Sequence, residues 1–449
     1  MRPLRRFYIA SLGCPKNTVD ANAMAVLLQR AGHEPTLNAD EADLVIVNTC
    51  GFIEQARAES LEALSDLASE LTSDQWLVAA GCWAQRDPDR IRDAVPRIDA
   101  VLGTRSWPEI VTLAGSLGAT SRGEALRERS SFSLIEDRLA TLPEEVAAPG
   151  YVISGPSAFL KIAEGCSRQC AFCAIPSIKG AAVSRDLDAI VNDARQLRDY
   201  GVLEINLIAQ DATYYGADRG MRDGLAHLLE RLVTQVPEIP WIRVLYTFPG
   251  YITPRLIRVI RDTPQILPYV DLPLQHAHPD MLRRMRRPAD MAQVRATLAA
   301  LREAMPDIAL RTTFIVGFPG ETEAEFAALL DFVREVQFDR LGVFTYSHEP
   351  GTPAAELGDD VPEEVKTARY DQVMIAQQEI SLRRNQALIG RRLDVLLEGA
   401  GDGITVGRSY RDAPEIDGLV LISEEVNTHR IVRVEVTEAL PYDLAGRIV

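Results

Sequence analysis

The sequence predicts an α/β protein in three parts: an N-terminal open parallel α/β sheet, a central partial (βα)6 barrel and a C-terminal small five-stranded β-barrel. Three patterns predict it. Short apolar runs alternate with amphipathic stretches from residue 1 to about 140, as in a parallel sheet covered by helices. Six strand–helix repeats follow between about 151 and 350. The tail, 390–449, breaks into five short β-prone runs separated by Gly, Asp and Pro. A chain of 449 residues is long enough for these parts, and the expected domains are 1–142, 143–380 and 381–449.

The first part is carried by "FYIASLGC" (7–14), "ADLVIVNTC" (42–50) and "WLVAAGC" (76–82), each a buried parallel strand, with "DAVLGTR" (99–105) as a fourth. Amphipathic helices fit between them at 18–31 and 54–71. A polar stretch near 115–150, with Pro143 and Pro149, is expected to be a linker or hairpin and a domain boundary. The barrel strands are expected at 158–163, 203–209, 241–247, 268–274, 308–316 and 339–346, two units short of a closed eightfold barrel. A helix at 362–388 precedes the tail. The tail strands are "RLDVLLEG", "ITVGRSY", "LVLISE", "HRIVRVEVTEAL" and "LAGRIV", which suit a barrel of the oligonucleotide-binding type.

Composition is that of a soluble globular chain, 47% hydrophobic and 25% charged, with a net charge of −16. That balance argues against general nucleic-acid binding, which needs Lys and Arg on phosphates, and suits a basic partner or plain solubility. No apolar run is long enough to span a bilayer, and "MRPLRRFYIASLGC" is expected to be the first strand of a cytoplasmic protein. In that compartment thiols stay reduced, so the six cysteines favour metal or catalytic roles over disulfides.

Three of them, Cys166, Cys170 and Cys173, sit in "EGCSRQCAFCAIP" as Cys-x3-Cys-x2-Cys, directly after the first barrel strand. Thiolates select iron–sulfur clusters or zinc. Three ligands on a four-iron cluster leave one iron open, and the other reading is zinc with a distant fourth ligand. The remaining three, Cys14, Cys50 and Cys82, are 36 and 32 residues apart, so no spacing motif flags them. Each ends a predicted parallel strand, and strand ends of an open α/β sheet share one ligand-binding edge. They are expected to form a second three-thiolate site, against the alternative of three inert buried cysteines. Other polar residues fall at strand ends of the barrel: Gln210 and Asp211, Asp271, Gln275 and His276, the segment Ile315, Gly317, Gly320 and Glu321, and Gly351 and Thr352. The remaining histidines show no ligand spacing, and "RRMRR" (283–287) is expected to be a solvated helix face.

The Cys-x3-Cys-x2-Cys loop with Phe172 before its last cysteine resembles the radical S-adenosylmethionine superfamily. Together with "SLGCPKN", "VNTCGFI" and "GFPGETE", it resembles the methylthiotransferases over essentially the whole chain. The resemblance implies a radical SAM partial barrel, a TRAM-like tail barrel for substrate docking, two 4Fe-4S clusters and S-adenosyl-L-methionine. It implies that Cys166, Cys170 and Cys173 hold the cluster that cleaves S-adenosylmethionine to a 5′-deoxyadenosyl radical. Cys14, Cys50 and Cys82 would hold the cluster that carries the transferred sulfur. Gln210, Asp271, Gln275, Ile315, Gly317, Gly320 and Glu321 would contact S-adenosylmethionine, with Lys161 and Arg185 as carboxylate partners. No side-chain acid or base is required, because the cofactor carries the hard step.

Two substrates occur in that family: a tRNA adenosine, and the aspartate β-carbon of small-subunit ribosomal protein number twelve. The tail has seven Arg and no Lys against eleven Asp and Glu, which disfavours tRNA and suits a basic ribosomal protein. "GRSYRDAPEIDG" (407–418) and "AIPSIKG" also resemble the ribosomal-protein branch. A one-electron donor such as flavodoxin or ferredoxin is the other implied partner, and no membrane is.

Overall fold

The computed structural model describes residues 4–119, 133–135 and 148–449. Most of the predicted linker at 115–150 lies outside the described residues. The chain divides into two compact units. One is Met1–Val152 with Phe159–Gln169 and Cys173–Arg185; the other is Ile153–Ala158 with Cys170–Phe172 and Asp186–Val449.

The first unit is built on β1 (Arg6–Ser11), β2 (Glu34–Pro35), β3 (Leu44–Thr49), β4 (Trp76–Gly81), β5 (Ala100–Gly103) and β6 (Ser133–Leu134). They form one parallel sheet in the order β2-β1-β3-β4-β5-β6. Every residue of β3 and β4 is buried, as their unbroken apolar sequence requires. Side chains alternate between two cores: Ile46 and Val78 face one, Val45, Val47 and Leu77 the other. The helix α1 (Pro15–Arg30) packs its Met24 and Leu28 into the first core, and α2 (Glu54–Glu70) buries Leu64 in the second. The strand order reverses direction between β1 and β3, so the crevice beyond their carboxyl ends is where such a sheet binds ligands.

Two short hairpin-forming strands follow, β7 (Tyr151–Ser154) and β8 (Ser157–Lys161), then the two-residue β9 (Ala163–Glu164) and β10 (Val183–Ser184). In the second unit the barrel strands are β11 (Glu204–Ile208), β12 (Trp241–Val244), β13 (Tyr269–Asp271), β14 (Ala309–Val316) and β15 (Arg340–Thr345). Ser157 and Ala158, which open β8, lie beside β11, where Asn206 Nδ2 donates to the Ala158 carbonyl. β11 pairs parallel with β12, and β13, β14 and β15 pair parallel in turn. The two sets are joined by the Ile242–Ile266 bridge and by the Thr247 N–H bond to the Asp271 carbonyl. Strands therefore stand at all six predicted places, and β11–β12 and β13–β14–β15 pair parallel.

The helix Glu363–Gln386 leads into the tail, where β16 (Arg392–Gly401), β17 (Ile404–Ser409), β18 (Val420–Ile422), β19 (Ile431–Ala439) and β20 (Leu444–Ile448) close a barrel in the order β16-β17-β18-β20-β19. Its core is Leu393, Val395, Leu397, Val420, Val434 and Val436 with their neighbours. Within this unit the barrel is fastened by buried ion pairs. Glu204 of β11 bonds Arg408 and Arg243, Arg340 bonds Asp412, and Asp339 bonds Arg411. The segment "GRSYRDAPEIDG" therefore has a physical role besides its family likeness. It carries Arg408, Arg411 and Asp412 into this seam, where all three are buried.

Candidate functional site

Cys14, Cys50 and Cys82 stand just past the carboxyl ends of three strands of the first sheet. Cys14 follows β1 and caps α1, Cys50 follows β3, and Cys82 follows β4 and opens α3 (Cys82–Arg86). Those three strands are neighbours in the sheet. The strand ends are drawn close by glycines: a Cβ on Gly13 (φ +87°) would lie 2.8 Å from the Cys50 Cβ, and one on Gly51 would lie 2.7 Å from the Trp83 backbone. A residue that sequence reasoning missed ties the three together. Asn17, buried in α1, donates to the Leu12 carbonyl at 2.7 Å and the Asn48 carbonyl at 3.1 Å, and its Oδ1 lies 3.9 Å from the Cys82 sulfur. Asn48 returns a bond to the Asn17 carbonyl at 2.7 Å. Nothing in the sequence flagged it: Asn17 is the third residue of α1, in the first turn, where an Asn is unremarkable.

Burial pushes the Cys82 thiol up to about 12, with the nearby Lys179 opposing and Cys14 and Cys50 adding to the rise. Burial likewise raises Cys50. Without a metal these thiols keep their protons, and iron binding would release them.

The second cysteine set lies in the loop between β9 and the short helix Ile175–Lys179. In the first unit the Cys166 N–H bonds the Gly180 carbonyl and the Arg168 N–H lies 3.4 Å from the Cys166 sulfur. Ala174 and Ile178 after Cys173 pack against Cys82. Arg105 grips the same helix through the Ile178 carbonyl at 2.9 Å and the Ser177 carbonyl at 2.5 Å. In the second unit, Ala171 is held by backbone bonds to Met285 and Ala354 and packs, with Phe172, against Met281, Phe318, Tyr346 and Ile315. Arg287 Nη1 lies 3.6 Å from the Cys170 sulfur, and the guanidinium stacks on Phe248 at 4.0 Å. This corrects the expectation for "RRMRR". Arg283 and Arg286 are exposed, but Arg287 is buried at a cysteine, and Arg284 bonds the Gly320 carbonyl and Glu325.

Among the described residues, no three His, Cys, Asp or Glu side chains converge as a single metal ion would need. A four-iron cluster takes each thiolate on a different iron, so three cysteines are a fitting donor set for one.

The other predicted residues fall into two groups. Gln210, just past β11, and Gln275, at φ +76° in a bridge to Phe314, are half-buried, and their side chains make no hydrogen bond among the described residues. Gln275 also meets Ile315 through its carbonyl at 2.8 Å. Asp271 and Glu321, by contrast, are buried carboxylates already engaged. Asp271 accepts from Arg311 at 2.9 Å and the Tyr246 N–H at 3.0 Å. Glu321 accepts from the Gly317 N–H and Arg369, both at 2.6 Å, and from His276 at 3.0 Å. His276 Nδ1 accepts the His278 N–H, so its proton sits on Nε2 toward Glu321. The absent Cβ positions of Gly317 and Gly320 face Lys366 and Arg284. The two carboxylates thus hold the rim loops in place, and the open polar groups are the two glutamines. Lys161 is likewise occupied, by Asp20 and Glu164, and Arg185 donates to the Lys161 carbonyl.

On the tail, Asp394, Asp402, Glu415, Glu424, Glu425 and Glu438 are exposed beside Arg391, Arg392, Arg430, Arg433 and Arg447. The exposed face of the tail is therefore close to balanced, six carboxylates against five guanidiniums, and the rest of the acidic excess is half-buried or buried. Tail acidity is a weaker argument for a basic partner than the sequence count suggests.

The Radical SAM superfamily model matches residues 160–333, the family described as "Uncharacterized protein family UPF0004" matches 6–103, and the TRAM domain matches 389–449. The chain is 48% identical over 459 residues to the ribosomal protein uS12 methylthiotransferase RimO of Roseiflexus sp. (strain RS-1), covering 99% of this chain and 97% of that one. It is 43% identical over 447 residues to that of Geobacter sulfurreducens, covering 98% of both. Among solved structures, the radical S-adenosylmethionine methyltransferase TsrM from Kitasatospora setae aligns with a TM-score of 0.56 at 14% identity, covering 90% of this chain and 81% of that one. The cobalamin-dependent S-adenosylmethionine radical enzyme OxsB aligns at 0.54 and 11%, covering 84% and 56%. Both are likenesses of fold. Identity of nearly one half along the whole length is a likeness of lineage, and on it the chain belongs to the ribosomal protein uS12 methylthiotransferase family.

Proposed function

We propose that this chain transfers a methylthio group to the β-carbon of an aspartate in ribosomal protein uS12. The observation that carries the reading is full-length identity of 43–48% to uS12 methylthiotransferases. The tRNA-adenosine alternative is not favoured by those relatives. The family's cofactors are S-adenosylmethionine and two 4Fe-4S clusters. Cys166, Cys170 and Cys173 hold one cluster, and Cys14, Cys50 and Cys82 the other. When bound, the first cluster and S-adenosylmethionine supply a carbon-centred radical, and the second supplies the sulfur.

The chain's own residues position and shield. Arg287 sets a cation against the Cys170 thiolate. Ala171 and Phe172 fix the loop on the rim through buried apolar contact. Gln210 and Gln275 offer free amides to the polar parts of S-adenosylmethionine, with Ile315 beside Gln275 as apolar wall. Asp271, Glu321, Gly317 and Gly320 support those loops. We also read the domains as 1–142, 143–380 and 381–449, the protein as cytoplasmic, and the electron donor as a flavodoxin or ferredoxin.

The test is to incubate the reconstituted enzyme, S-adenosylmethionine and a strong reductant with uS12 or its loop peptide, and separately with tRNA. A methylthio mass gain on the protein is expected. A gain on tRNA alone would overturn the substrate.

A further inference from the structure

Four buried charged side chains in the first unit have no part in the reading above. Asp20 on α1 and Glu164 of β9 each pair with both Lys161 and Lys179. Lys179 Nζ lies 2.9 Å from Asp20 Oδ2 and 3.6 Å from Glu164 Oε2. The side chains of Asp20, Lys161 and Lys179 are 2–3% exposed and that of Glu164 15%. Cations and anions alternate in a closed ring with no net charge.

The ring's position is informative. Asp20 is on the helix that Cys14 caps. Lys161 and Glu164 lead into Cys166. Lys179 ends the helix that follows Cys173 and packs on Cys82. An apolar plug of the same volume would be at least as stable, since burying charges costs as much as their attraction returns. Ion pairs differ from such a plug in being directional, and they hold two elements at one offset.

We infer that the Asp20–Lys161–Glu164–Lys179 ring is a positioning device that holds Cys166 and Cys173 at a fixed offset from Cys14 and Cys82. The inference rests on the proposed ligand roles of the cysteines. Its purpose is transfer: reacting groups must meet closely, and a shift of about 1 Å costs about a hundredfold in rate.

The test variant is Asp20→Asn with Lys179→Met, which removes one cation and one anion and leaves Lys161 and Glu164 to pair. In the reconstituted protein, iron and sulfide should stay at about eight each, and 5′-deoxyadenosine formation should stay near the parent's. The magnetic interaction between the two reduced clusters, read by electron paramagnetic resonance, should weaken. Methylthio product per 5′-deoxyadenosine should fall about tenfold or more. With the clusters in place, an unchanged interaction and an unchanged ratio overturn the inference. Asp20→Glu, which keeps the charge and lengthens the tie, is the second variant: a shifted interaction at full iron content supports the ring, and an unshifted one overturns it. If the parent protein binds only about four irons, the ligand reading fails first and the ring inference falls with it.

Discussion

At the residue scale, the cysteines are the proposed cluster ligands and their neighbours carry the placement. Cys14→Ala is expected to leave 5′-deoxyadenosine formation largely intact, lower iron from about eight toward about four, and abolish methylthio transfer; iron analysis and product mass on one sample check all three. Asn17→Ala takes the amide donor from the half-buried Leu12 carbonyl and leaves the buried Asn48 carbonyl with the Leu12 N–H. It should cost about 1–3 kcal/mol in denaturant unfolding, with loss of iron from the same site. The cysteines were legible because thiol spacing and strand-end placement are sequence properties. Asn17, Arg287 and Lys179 were not, because each acts on a partner that only folding brings near: Asn48, Cys170 and Asp20.

At the element scale, the strand-to-helix turns of the first sheet form the site's frame. Gly13→Ala would force a side chain into a left-handed backbone and into Cys50 at 2.8 Å. The backbone strain alone is about 1–3 kcal/mol, so thermal unfolding should occur lower and the N-terminal iron should be lost before the barrel's. The elements themselves were well forecast: α1, α2, the barrel strands and all five tail strands fall within a few residues of their predicted bounds. Continuous apolar runs and Gly/Pro punctuation are local signals, and local signals set elements. The "RRMRR" face was misjudged for the complementary reason. A charged run looks solvated until a carbonyl, a cysteine sulfur or an aromatic ring is found packed on one side of it.

At the scale of the whole molecule, the tail barrel is held by buried charge. Burial would raise the Glu204 carboxyl, but Arg408 and Arg243 more than offset it and hold it at about 2, against an ordinary 4.5. A depressed carboxylate stabilises the fold above its unfolded value, and that contribution is lost as pH falls through the folded one. Acid should therefore loosen the seam progressively between about pH 4.5 and 2, removing roughly 3 kcal/mol. Glu204→Gln should show the loss already at neutral pH, and a urea titration of both proteins across that range would expose any other pattern. The sequence by itself determined the fold class, the order of the elements and the two cysteine trios, because periodicity, turn residues and thiol positions are written along the chain. Only the tertiary structure decided which polar residues are free at the rim and which are spent. It also decided that Asp20, Lys161, Glu164 and Lys179 form one ring and that the tail's exposed charges nearly balance. A side chain's partners, and hence its charge and availability, depend on distances across the fold that no local pattern encodes.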